Sequence, residues 1–248
     1  MRILKDTVKN HLGKRGYTLE KKSPFETQFK TDLDQFNLQV RDMQTRHKTQ
    51  TKVYVDDLKK KYETPFFGEY YVWDIIESLS RCFDPTDVRL GVGSQEVHLL
   101  QMVEGMDRDG VTDQDMYLAA IIHDMAKALL FEHEPPENIG FNNNLIGDYP
   151  DGIGLDNVTI TFSQDEYLYL RLKDYLPDHL AWLIRYHGIS VPQCKRVMDK
   201  RDREYTERYL TDFAKYDMGT KCIYHIPNKK IEDYRELVES TFPNPISF

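Results

Sequence analysis

The sequence predicts an all-α fold, a single helical domain with a metal site between its central helices, and three observations predict it. Apolar residues recur at helical spacing in several segments, strand signals are nearly confined to residues 158–162, and strong metal-ligand types sit inside apolar stretches. The 248 residues suit one compact domain. Residues 1–30, charged and sparsely apolar, read as an irregular or weakly helical lead; residues 31–248 read as the metal-binding domain.

Over residues 32–61 the apolar positions Phe36, Leu38, Val40, Met43, Val53, Val55 and Leu58 recur loosely without Gly or Pro, which favours helix. Within 70–83, Val72, Ile75, Ile76 and Leu79 keep the i, i+3, i+4, i+7 rule of an amphipathic helix, which Asp84-Pro85-Thr86-Asp87 then breaks. Two strong helices follow, over 96–106 and 114–130, the second announced by Thr112 and Asp113 as N-cap residues. Residues 134–157 hold Pro135, Pro136, Pro150 and an Asn142-Asn143-Asn144 run and read as a long loop, the kind that often carries function. Beyond them the pattern gives helices over 164–174, 177–186 and 202–218 and a short tail helix over 230–241.

Apolar residues at 40% and charged residues at 30% describe a soluble globular protein. The net charge of -8 argues against nucleic-acid binding, which draws on clustered Lys and Arg, and favours a small-molecule substrate. The basic stretches 59–61 and 195–203 are interrupted or flanked by Asp or Glu and read as solvated faces. Cys82, Cys194 and Cys222 form no CxxC pair and no disulfide framework, which points to a reducing compartment. The N-terminus breaks its apolar residues with charge too often for a signal peptide, and no run approaches a membrane span, so a cytoplasmic monomer is expected.

The chemistry begins at His123-Asp124 in YLAAIIHDMAKALL, where two strong ligands interrupt an apolar helix. Burying them unpaired is costly, and a cation removes that cost. Taken alone, the pair reads equally as a hydrogen-bonded core histidine beside a capping Asp. His98 in VHLLQMVEG, His187 in HLAWLIRYHG and Asp217 in DFAKYD sit beside core-like residues as well. Three imidazoles and two carboxylates in apolar helices are hard to satisfy without a metal ion. His11, His47, His133, His179 and His225 lie in polar or loop contexts and read as surface residues.

The order His, His-Asp, His, Asp resembles the HD-domain superfamily. The segments HKTQT, HLLQMVEGM, IIHDMAKALL, IGDYPDG, DEYLYLRL, LIRYHG and DFAKYDMGTKC, in that order, resemble the myo-inositol oxygenase family. The resemblance implies a pair of irons bridged by Asp124, with His98, His123 and Asp217 completing the first site and His187 serving the second. It also implies dioxygen as co-substrate, chelation of a substrate diol by the second iron, and hydrogen abstraction from carbon followed by ring cleavage. Lys127, one turn after His123, matches the lysine that stabilises the substrate alkoxide, and a buried lysine beside a cation is expected to have a depressed pKa. Gly147, Asp148 and Lys221 match positions that hydrogen-bond substrate hydroxyls, and Gly188 stands where the family has a substrate-touching Ser.

The chain departs from the family's pattern at Gln164, where the family has the other second-site histidine. An amide oxygen is a poorer donor than imidazole, so the second site is expected to be retained but weakened. Gln164 coordinating through its oxygen, Asp165 swinging in, a water in that place, or a first metal alone are the open outcomes. The approach to His98, DPTDVRLGVGSQEVH, is longer than the family's and has Arg89 near the place of a carboxylate, so the expected substrate is a polyol or another small hydroxylated or anionic molecule rather than inositol by default. Two further readings stay open: an HD-type metal-dependent phosphohydrolase, for which His98, His123, Asp124 and Asp217 suffice, and a catalytically silent binding relative, for which Gln164 is the argument.

Overall fold

Helix dominates, as the periodicity predicts. The computed structural model describes residues 24–248 except 88, 91 and 92, with side chains from residue 34 onward. Its contacts divide the chain into two units, Met1–Asp42 and Met43–Phe248. The described part of the first unit is the start of helix α1 (Pro24–Lys48), so residues 24–30 of the lead are helical. Residues 1–23, with His11, lie outside the described residues.

Helix α2 (Lys52–Lys61) starts afresh after α1, because the Thr51 hydroxyl accepts from the Tyr54 amide at 3.2 Å and caps a new N-terminus. The single helix expected over 32–61 is therefore two. Strand β1 (Glu69–Tyr70) precedes helix α3 (Val72–Ser78), which tightens into a 3-10 turn over Leu79–Arg81 and stops before Asp84-Pro85.

Helices α4 (Gln95–Arg108) and α5 (Gln114–Ile122) form the centre. Every residue from Met116 to Ile122 is buried, which is why α5 is apolar all round rather than along one stripe. The helix expected over 114–130 does not run through: α-helical bonding stops at Ile122, Asp124 sits at φ -102° and ψ 9°, and Met125–Glu132 winds as 3-10 helix. His123 and Asp124 thus occupy a corner between two helical segments rather than a helix middle.

Helix α6 (Gln164–Leu172), whose N-cap Ser163 accepts from the Asp165 amide, packs against α7 (Asp178–Tyr186). After the short α8 (Val191–Cys194) come α9 (Lys200–Tyr205), a π turn over Thr206–Leu210 and α10 (Thr211–Gly219), which together replace the one helix expected over 202–218. The Thr211 hydroxyl donates to the Thr206 carbonyl at 2.8 Å, a reach that suits the widened turn. The tail is a 3-10 turn over Ile231–Tyr234 followed by α11 (Arg235–Thr241).

The segment expected to be a plain loop contains strand β2 (Leu145–Ile146), which pairs antiparallel with β3 (Thr159–Ile160) in the register Leu145↔Ile160. Strand β4 (Ile246–Ser247) pairs with β1, and the buried Phe248 accepts from the Phe67 and Gly68 amides, which ties the C-terminus into the domain. Strand β3 falls within residues 158–162, where the sequence places its strand signal, whereas β1, β2 and β4 are two residues long and too short to show alternation. His47 corrects its surface reading: it is fully buried, with Nδ1 2.8 Å from the Glu137 carbonyl and Nε2 2.9 Å from the Thr161 hydroxyl. Its sequence neighbours are polar, but the 137–142 segment folds over it. His133 is exposed, and His179 and His225 pair with Asp115 and Glu104.

Asp202, fully buried, joins three parts of this scaffold: Oδ1 accepts from Trp182 Nε1 at 2.8 Å, and Oδ2 accepts from the amides of Leu155 at 2.7 Å and Asp199 at 3.2 Å. Asp202→Ala strands those donors and is expected to cost about 3 kcal/mol, lowering Tm by roughly 6–12 °C in a calorimetric scan. A shift below about 2 °C would remove Asp202 from this role.

Candidate metal centre

Ligand-bearing side chains from four helices meet at one buried point. His98 comes from α4, His123 and Asp124 from the corner after α5, His187 from the C-cap of α7, and Asp217 from α10. His98 Nε2 lies 3.1 Å from Asp217 Oδ1 and 3.6 Å from Asp124 Oδ2, while His123 Nε2 lies 3.3 Å from Asp124 Oδ2. One ligand atom each of His98, His123 and Asp124 falls within 4.8 Å of the others, and the same holds for His123, His187 and Asp217.

Backbone geometry decides which nitrogen each of two imidazoles presents. His123 Nδ1 faces the Ala120 carbonyl at 3.0 Å and His187 Nδ1 faces the Ile184 carbonyl at 2.9 Å. A carbonyl can only accept, so both Nδ1 atoms donate and both Nε2 lone pairs point inward, the tautomer a metal ligand requires. The Phe213 ring packs edge-on against both imidazoles, 5.3 Å from His123 and 5.9 Å from His187, and holds them in place.

The donor set fits a first-row metal ion. Ligands sharing such an ion lie about 3.0–3.5 Å apart, close to the 3.1, 3.3 and 3.6 Å found between these atoms. Nε2 of His98, Nε2 of His123, Oδ2 of Asp124 and Oε1 of Gln164 are buried with no aligned hydrogen-bond donor. Both nitrogens of His98, Nε2 of His123 and Oε1 of Gln164 thus lack a hydrogen-bond partner, and the only ammonium beside Asp124 Oδ2 is that of Lys127, a costly arrangement for a folded chain that a cation relieves.

Two lysines border the cluster. Lys127 Nζ donates to Gln95 Oε1 at 2.9 Å and pairs with Asp84 at 3.0 Å and Asp124 at 3.1 Å. Lys221 Nζ pairs with Asp87 at 2.8 Å and Asp217 at 3.2 Å. Burial pulls Lys127 down, but Asp124, Asp84 and Asp87 outweigh it and hold its pKa well above the ordinary lysine value. The depressed value expected from sequence is for a lysine beside a cation; in the metal-free protein these carboxylates set the opposite direction. Burial opposes ionisation of Asp124 and Asp217, yet His123 and Lys127 hold the first, and Lys221 and His98 the second, well below the carboxylate range. Burial, reinforced by Lys221, pushes His98 down to about 4. His123 is also pulled down by burial, but Asp124 and Asp217 raise it above its usual value.

The structure brings His98, His123, Asp124, His187, Asp217, Gln164, Lys127 and Lys221 together, and Gly188 follows His187 directly. It does not bring Gly147 and Asp148: both are exposed, and the Asp148 carboxylate, 93% accessible, pairs with Arg196. Sequence reasoning took Asp84 and Asp87 as a helix break and passed over Gln95 and Phe213. A signal existed for the first two, since DPTD sets two carboxylates three residues apart just before the helix that carries His98.

Because His123 is raised above 6.5 and His98 lies near 4, the two respond differently to metal. In the metal-free protein near pH 6.5 His123 carries a second proton, on Nε2, that a cation must expel to gain the lone pair, while His98 stays neutral; above the raised value the release fades. Calorimetric metal titration in buffers of different ionisation enthalpy should show proton release on binding the first ion near pH 6.5 that diminishes as the pH is raised from about 6.5 to about 8.5. Release that stays constant across that range would refute the assignment.

The comparisons with known proteins agree with this geometry. The profile of the family described as myo-inositol oxygenase matches residues 38–140 and 129–248, which together include every ligand-bearing position from His98 to Asp217. The Probable inositol oxygenase of Oryza sativa subsp. japonica is 29% identical over 238 residues, covering 79% of this chain and 76% of its own. Inositol oxygenase 1 of Arabidopsis thaliana is 26% identical over 242 residues, covering 82% and 77%. The Inositol oxygenase of Dictyostelium discoideum is 25% identical over 243 residues, covering 81% and 82%. The chain belongs to the myo-inositol oxygenase family.

Proposed function

We propose that the protein is an iron-dependent oxygenase that oxidises or cleaves a small hydroxylated substrate at a paired-metal centre. The observation that carries this reading is the convergence of unsatisfied imidazole and carboxylate lone pairs in a chain whose relatives are named inositol oxygenases. Charge supports it too. Asp84, Asp87, Asp124, Asp165 and Asp217 have side chains at most 10% exposed, and among the described residues that face them Lys127 and Lys221 are the buried ammonium groups. A site so short of positive charge favours multivalent cations.

Bound iron would supply activation of dioxygen and Lewis-acid binding of substrate oxygens. The protein's own groups do the rest. His98, His123, Asp124 and Asp217 would hold the first ion, and His187 would serve the second. Lys127 and Lys221 present ammonium groups to a substrate oxygen and favour its alkoxide form, while Asp84 and Asp87 accept hydrogen bonds from neighbouring hydroxyls. Substrate entry exchanges the Lys127–Asp84 and Lys221–Asp87 pairs for contacts with hydroxyl groups. A ligand offering both donors and acceptors, as a polyol does, suits that exchange. Gly188 contributes no side-chain hydroxyl, and the loop before His98 departs from the family's pattern; both observations support a substrate other than inositol.

Protein purified anaerobically and loaded with iron should consume oxygen with at least one class in a panel of polyols and hydroxyphosphonates. Lys127→Met should keep its iron yet lose about 10²-fold or more in kcat. Phosphate release from nucleotides with manganese or cobalt, and no oxygen uptake with iron across the panel, would replace this reading with an HD-type hydrolase.

A further inference from the structure

The first turn of α6 places two polar side chains beside His187, and they are not equivalent. Gln164 Nε2 lies 2.7 Å from Asp165 Oδ1, 3.0 Å from the His123 carbonyl and 3.3 Å from Asp124 Oδ1. With three acceptors around it, that atom is the amide's NH2 end; turning the amide over would set its oxygen against three others. Gln164 therefore acts on its surroundings as a donor. Its neutral oxygen is the weaker kind of metal ligand.

Asp165 is oriented quite differently. Its side chain is 6% exposed, its Oδ2 accepts from Asn143 Nδ2 at 3.0 Å, and its Oδ1 stands 3.5 Å from His187 Nε2. His187 donates through Nδ1 to the Ile184 carbonyl, so Nε2 turns a lone pair towards a carboxylate. Two acceptors facing one another in a buried place repel unless a proton or a metal cation lies between them, and at 3.5 Å the pair is longer than a hydrogen bond. A spacing of 3.5 Å is that of neighbours on one first-row cation, about 3.0–3.5 Å.

Gly188 makes the arrangement sterically feasible. A Cβ there would lie 2.6 Å from Asp165 Oδ2 and 3.6 Å from Asn143 Nδ2. The first distance is shorter than carbon and oxygen tolerate, and the oxygen it strikes is held by Asn143 rather than free to swing. Any larger residue at 188 would push the Asp165 carboxylate away from His187.

We propose that Asp165, together with His187, holds the second metal ion, that Gln164 is the amide donor orienting Asp165 and Asp124, and that Gly188 is the space admitting the Asp165 carboxylate. The proposal rests on the metal-centre reading above and names the ligand of its second site.

Bound iron counted after anaerobic loading and desalting, together with calorimetric titration of the metal-free protein with Fe(II), tests it without reference to turnover. Wild type should bind two ions. Asp165→Asn, nearly isosteric, should bind one, with first-site affinity unchanged. Gly188→Ala should weaken the second ion about tenfold or more, the range expected when a ligand loses its orientation, and leave the first untouched. Gln164→Ala should keep two ions and lose less second-site affinity than Asp165→Asn. Two ions in Asp165→Asn, or an equal loss in Gln164→Ala, would overturn the proposal. One ion in wild type would also overturn it while leaving the first site standing. No iron in wild type would sink the metal-centre reading and the proposal with it. Should Asp165→Asn fail to fold, Gly188→Ala decides: an unchanged second affinity there overturns the assignment.

Discussion

The rest of the structure depends on the cost of burying carboxylates. Asp84, Asp87, Asp124, Asp165 and Asp217 are removed from water around one point, and each would be untenable alone. The chain answers with Lys127 and Lys221, each clamped between two of these carboxylates, and with imidazoles whose lone pairs face the same centre. That partial compensation holds the elements in register and leaves an unmet demand for positive charge. Folding and metal binding are thus two parts of one electrostatic problem.

Helix ends solve the positional half of that problem. His123 and His187 are both C-cap residues, and each donates Nδ1–H to the carbonyl three residues earlier, so one local geometry aims two Nε2 atoms inward. Gln164 and Asp165 occupy the first turn of α6, where the positive end of the helix dipole favours a carboxylate. The break after Ile122 serves the same end. In a continuous helix His123 and Asp124 would point about 100° apart; with Asp124 out of helical geometry, Asp124 Oδ2 stands 3.3 Å from His123 Nε2.

How much of this was readable in the sequence follows from which signals are periodic and which are not. Helices α3 to α7 announced themselves through apolar spacing or caps, and ligand-type residues in apolar runs, His98, His123, Asp124, His187 and Asp217, marked the centre. Caps and breaks inside polar runs, such as Thr51, carried too weak a contrast, so α1 and α2 read as one. The π turn at Thr206–Leu210 leaves the apolar pattern nearly intact and cannot be seen in it. His47 failed for the opposite reason: its polar neighbours suggested solvent, but the segment covering it lies 90 residues away in the chain. Asp84, Asp87 and Gln95 matter through Lys127 and Lys221, and pairing between distant residues has no period to detect. Gly147 and Asp148 show the converse, since a matching motif does not fix where a loop places it.

In the proposed function the lysines also link the metal centre to the substrate. Lys127 is held by Asp124 on one side and Asp84 on the other, and both raise its affinity for a proton. Positive charge placed against Asp124 draws on the same carboxylate, weakens its hold on Lys127 and leaves Asp84 as the remaining anionic partner. Lys221 stands in the same relation to Asp217 and Asp87. An ammonium held by one carboxylate turns towards a substrate oxygen more readily than one held by two. On that reading, loading of the centre and release of the lysines would be coupled through two shared carboxylates, Asp124 and Asp217.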